Sequence, residues 1–188
     1  MLELGAGLGA SSVAAALCGA FVVSTDKDVH ALSLVTTNAA MNGVGPGEIL
    51  RDLIGSTVGI VTATVLDWDS DESVSALQHE HGPFDVIIGA ALQYGKWERR
   101  MWSVLEQLAG RNTDLILASA IGELGLCSTE SLGVNSTISV QCPHGWSVVR
   151  RDSDDLFAMA DLRGGPSEFE VTVMARDATA LRCIMGPI

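Results

Sequence analysis

The 188-residue sequence predicts an α/β domain: a parallel sheet with helices on both faces and an antiparallel finish. Three observations carry that expectation. Short apolar or β-branched runs alternate with stretches of helical periodicity as far as residue 121, and a glycine-rich turn follows the first of them. After that point the helical pattern gives way to three strand-like runs separated only by turns.

Residues 1–5 read as a short apolar strand ending in the glycine loop of MLELGAGLGASS. Residues 11–20 form an alanine-rich helix closed by glycine, and FVVST (residues 21–25) a buried strand stopped by Asp26. The segment KDVHALSLVTTNAAMNG has helical spacing and a C-cap at Asn42-Gly43. Residues 43–57 are glycine-rich and irregular. Residues 58–68, VGIVTATVLDW, are rich in β-branched side chains and predict a third strand, with the helix SVSALQHEH after it. FDVIIGAAL (84–92) is a fully apolar fourth strand, KWERRMWSVLEQLAG an amphipathic helix, and DLILASAI (114–121) a fifth strand. The runs at 146–152, 156–163 and 168–176 predict the antiparallel edge.

Composition narrows the function. An apolar fraction of 47% supports one filled core, and residues 1–188 read as a single domain. No apolar run is long enough for a membrane span, and the N-terminus lacks a signal-peptide pattern, so a cytosolic or nuclear protein is expected. A net charge of −12 argues against nucleic acid as a main partner and favours a basic protein or a small molecule. Cys18, Cys127, Cys142 and Cys183 form no CxxC pair and read as reduced, mostly buried thiols.

The glycine loop leaves two cofactors in contention. Gly5-x-Gly7-x-x-Ala10 with Asp26 some twenty residues on fits a dinucleotide fingerprint, in which an acid grips the ribose. Glu3 is awkward there, because an anion repels a pyrophosphate. It suits S-adenosyl-L-methionine, which carries a sulfonium and an ammonium beside one carboxylate. The antiparallel finish points the same way. For Asp26 the competing structural role is capping the following helix.

LELGAGLG, VSTD, TTNAAMNG with Asn38 and Asn42, LDW, and FDVIIGA followed by Tyr94 together resemble the family-16 methyltransferase-like enzymes, a group known for methylating lysines of non-histone proteins. The resemblance implies a Rossmann-like seven-strand methyltransferase sheet and covers most of residues 1–120. It implies that Glu3, Gly5, Ala6 and Gly7 line the methionine end of S-adenosyl-L-methionine and that Asp26 binds the ribose. Asp67 and Trp68 would flank the adenine, Ala90 would lie near the transferable methyl, and Tyr94 would serve the acceptor amine. Two departures accompany it. Ala91 stands where the family's Asp-x-x-Tyr motif has its acid, and the chain begins inside the first strand, which reads as an N-terminal truncation.

Other features have plainer readings. His79-x-His81 is a solvated helix end, Glu98-Arg99-Arg100 exposed helix surface, and Asp152, Asp154 and Asp155 an acidic turn. Trp102 belongs to the buried face of its helix, whereas Trp97 fits either that face or an extension of the Tyr94 wall. The sequence therefore predicts a methyl transfer enzyme acting on a protein lysine. A catalytically impaired binding module and a nicotinamide oxidoreductase remain as alternatives, and the oligomeric state is not fixed.

Overall fold

In the computed structural model, which describes residues 1–46, 58–92, 97–120, 140–141, 146–152 and 169–175, the apolar runs become strands. The chain proceeds through β1 (Leu2–Leu4), α1 (Ala10–Leu17), β2 (Phe21–Asp26), α2 (Val29–Met41), β3 (Ile60–Val65) and α3 (Asp71–His81). It continues through β4 (Phe84–Ala90), α4 (Trp97–Leu108), β5 (Ala109–Ala120), β6 (Val140–Gln141), β7 (Ser147–Asp152) and β8 (Phe169–Ala175).

The strands form one sheet in the order β3-β2-β1-β4-β5-β8-β7-β6. Strands β1 to β5 are parallel, and β8 runs antiparallel to both β5 and β7. The predicted antiparallel finish is therefore present. Of its three strand-like segments, 156–163 lies outside the described residues, as does most of the irregular stretch 43–57.

Period-two alternation sends β1 in two directions. Leu2 and Leu4 join a cluster with Ile87, Leu115 and Leu117 of the sheet and Val74, Leu77, Met101 and Leu105 of α3 and α4. On the other face, Val22 and Val61 pack against Val13 and Ala16 of α1 and Val35 and Ala39 of α2. Each fully buried aliphatic side chain contributes about 1.5–3 kcal/mol, which makes these two layers the main source of stability. Trp102 is buried in the first cluster, as its helical phase predicts.

Local chemistry sets the ends. Asp28 caps α2 by accepting from the His30 amide at 2.8 Å, and Ser70 caps α3 by accepting from Ser73 at 3.1 Å. After α2, Gly43 and Val44 return amides to Ala40 and Ala39, the Schellman closure that Asn42-Gly43 predicts. The third strand stops at Val65, short of the predicted residue 68, because Asp67 accepts from the Asp69 amide and turns the chain into the α3 cap. Cys18 is exposed as the C-cap of α1, two residues past Ala16, the last buried residue of that helix; the other cysteines lie outside the described residues. Among the described residues no helix is long and apolar enough to cross a membrane.

Candidate functional site

Parallel strands present their carboxyl ends on one edge, and the strand order reverses direction beside β1, between β2 and β4. Ligands of open α/β sheets sit in the crevice that such a reversal creates. A cavity of about 300 Å³ occupies that crevice, lined by Gly5, Asp26, Lys27, Leu66, Asp67, Trp68, Ala90, Ala91 and Leu92.

Five residues singled out from the sequence thus meet in one place: Gly5 after β1, Asp26 at the end of β2, Asp67 and Trp68 after β3, and Ala90 at the end of β4. Ala6 and Gly7 belong to the adjoining loop and are not among the lining residues. Tyr94 lies outside the described residues, as does the Trp97 side chain.

The glycine loop is tied down from several sides. The Ala6 amide donates to Thr25 O at 2.9 Å, the Gly7 amide to Asp26 Oδ2 at 2.9 Å, and Asn38 Nδ2 to Leu8 O at 2.9 Å. Gly5 has φ +62°, and a Cβ there would come within 2.7 Å of Leu92 Cδ2. Gly9 has φ +77°, and its Cβ would meet Val35 at 2.9 Å, so close packing of the loop on α2 requires glycine.

Asp26 does not cap α2, since Asp28 does. Its Oδ1 accepts from the Asp28 amide at 2.9 Å, and both of its oxygens are thereby fixed at the cavity wall. Asp67 Oδ1 accepts from Lys27 Nζ at 3.0 Å and from the Asp69 amide at 3.0 Å. These two donors, the amide first, hold the Asp67 carboxyl below the usual carboxylate range, so its charge persists to more acid pH than an ordinary aspartate's.

Glu3 stands apart from the residues that line the cavity. It is buried on the α1 side of β1, opposite Leu2 and Leu4. Its Oε2 accepts from the Ser12 amide at 3.2 Å, from the Ser12 hydroxyl, and from the Ser24 hydroxyl at 3.3 Å. The physical reason is the unsatisfied amides at a helix N-terminus, one of which Glu3 fills. A pyrophosphate at that helix end would meet a buried carboxylate, so Glu3 disfavours a dinucleotide there.

Sequence reasoning missed Lys27, Leu66 and Leu92 in the cavity wall. Lys27 directly follows Asp26, which was the available signal. Arg100, read as surface, is also more than surface. Its Nε donates to Trp68 O and its Nη2 lies 2.8 Å from Asp71 Oδ1. His79 is exposed, and no group of residues that could hold a metal is present among those described.

Comparisons with known proteins agree with this fold. A family profile described as lysine methyltransferase matches residues 1–123. No curated protein matches the chain. Among solved structures, a methyltransferase from Anabaena variabilis ATCC 29413, dependent on S-adenosylmethionine, is similar at TM-score 0.59 and 12% identity, over 94% of this chain and 76% of that one. A TehB-like methyltransferase from Corynebacterium glutamicum ATCC 13032, also S-adenosylmethionine-dependent, is similar at TM-score 0.56 and 14% identity, over 94% and 79%. Magnesium protoporphyrin IX methyltransferase from Synechocystis PCC 6803 with bound S-adenosylmethionine gives TM-score 0.53 and 18% identity, over 94% and 69%. At these identities the likeness is one of fold.

Proposed function

The chain belongs to the lysine methyltransferase family, and from that premise we propose that it transfers a methyl group from S-adenosylmethionine to a lysine side chain of a protein. The observation that carries the reading is the convergence of Gly5, Asp26, Asp67, Trp68 and Ala90 on one cavity at the carboxyl edge of the sheet.

The residues present fit that cofactor. When bound, it supplies an electrophilic methyl on a cationic sulfur. The cavity offers two carboxylates against one ammonium, a balance that suits a cation better than a diphosphate. Asp26 presents fixed carboxylate oxygens to ribose hydroxyls, Trp68 an aromatic face to a purine, and Asp67 an acceptor for an exocyclic amine. Gly5, Ala90 and Ala91 keep the wall beside β1 and β4 low, which leaves room for an acceptor to approach.

A lysine acceptor sets the main chemical demand. At its ordinary pKa of about 10.4, only about one amine in 2,500 is neutral at pH 7, a deficit of about 4.6 kcal/mol. Alignment and exclusion of water by the cavity walls must offset it. A protein acceptor rich in lysine is also drawn to a chain of net charge −12.

The test is transfer of a radiolabelled methyl group from the donor to proteins of a cell lysate. The chain is expected to label lysate proteins, and prior acetylation of their lysines, which turns each amine into a non-nucleophilic amide, is expected to abolish the label. Label that survives this treatment would exclude lysine as acceptor. A second reading, a cofactor-binding module without transfer, is favoured by Ala91 in place of the family's acid. Cofactor binding without label in either lysate would support it.

A further inference from the structure

The turn between β3 and α3 supplies two cavity walls, Asp67 and Trp68, and it packs three carboxylates, Asp67, Asp69 and Asp71, into five residues. Left alone, such a turn repels itself. Its ends are tied to β2 and within the turn itself: the Leu66 amide donates to Asp26 O at 3.0 Å, the Asp67 amide to Ser73 Oγ at 3.2 Å, and the Ser70 amide to Asp67 O at 3.1 Å. Lys27 reaches Asp67 from the β2 side at 3.0 Å and Asp69 at 3.9 Å.

The middle of the turn is held from outside. Arg100, on α4, donates from Nε to Trp68 O, places Nη2 2.8 Å from Asp71 Oδ1, and keeps Nε 4.0 Å from Asp69 Oδ1. One planar guanidinium thus grips a peptide carbonyl and a carboxylate together and offsets the charge of the turn. A lysine at this position has the charge but not the fork.

We propose that Arg100 is a positioning residue for cofactor binding: it fixes the Asp67–Asp71 turn so that Trp68 and Asp67 form the purine end of the cavity. This rests on the methyl-donor reading above. Arg100 lines no part of the cavity itself, and it acts through the turn.

Calorimetric titration with S-adenosylhomocysteine, and separately with adenosine, tests the proposal on the unaltered chain and on Arg100→Ala, Arg100→Lys and Arg111→Ala. Arg111 is exposed on β5 and serves as the charge-matched control. Arg100→Ala is expected to weaken both ligands by the same factor, about tenfold, because the loss lies at the purine end. Arg100→Lys is expected to lose at least about threefold, and Arg111→Ala to match the unaltered chain. A purely structural role would lower the melting temperature and leave both affinities within about twofold, and that result overturns the proposal. Should Arg100→Ala fail to fold, Arg100→Lys decides: full affinity there overturns it too. An unaltered chain that binds neither ligand refutes the methyl-donor reading, whereas equal binding by all four proteins refutes only the role of Arg100.

Discussion

At Glu3 a single carboxylate links the strand, the glycine-loop helix and the choice of ligand. Its Oε2 serves the Ser12 amide and the Ser12 and Ser24 hydroxyls in a buried setting. Glu3→Ala leaves those donors without an acceptor and is expected to cost about 3 kcal/mol in a urea titration. Ala91 poses the opposite case. It has φ +51°, a left-handed backbone that aspartate adopts more readily than alanine, and it lines the cavity. Ala91→Asp is therefore expected to fold with stability within about 1 kcal/mol of the parent and to raise the methyl-transfer rate. An unchanged rate would show that the acid is not limiting. Asp26 was legible in the sequence because a buried strand ends there. The direction of Glu3 was harder to read. Alternation with Leu2 and Leu4 puts it on the opposite face, but only the α1 amides explain why a buried acid is held there.

Among the elements, β3 and β5 show where local reading stops. LDW continues the apolar run of β3 in sequence, yet the Asp67 turn and the Ser70 cap end the strand and turn Asp67 and Trp68 into cavity walls. At β5, pairing with β4 shifts register between Phe84 and Val86, and the strand begins at Ala109 rather than at the predicted Asp114. Thr113 Oγ1, which donates to Phe84 O at 2.7 Å and accepts from the Gly110 amide at 2.8 Å, bridges that irregularity. Asp114 beside it is pushed above the usual carboxylate range by burial. A raised folded pKa means that the folded state binds more protons, so stability falls as pH rises from the unfolded value of about 4 through the folded one. Asp114→Asn is expected to raise the melting temperature at pH 7 and to lose that advantage below about pH 4, as thermal scans across pH would show.

For the whole molecule, strand order matters more than any one motif. The apolar runs predicted the strands, and the loss of helical spacing after residue 121 predicted the antiparallel edge, because both signals are local. The contacts that complete the site are not local. Lys27 meets Asp67 across 40 residues and Arg100 meets Trp68 across 32, pairings that the sheet and the α4 packing create and no spacing rule announces. The cavity gathers Gly5, Asp26, Asp67, Trp68 and Ala90 because four parallel strands end at one edge.

The most direct test of a methyl-donor site in that cavity is calorimetric titration of the chain with S-adenosylhomocysteine, with NAD in parallel and with Asp26→Ala as the comparison. Saturable one-to-one binding of S-adenosylhomocysteine, at least about tenfold weaker in Asp26→Ala, with no binding of NAD, is the predicted result. Binding of NAD with none of S-adenosylhomocysteine would contradict it.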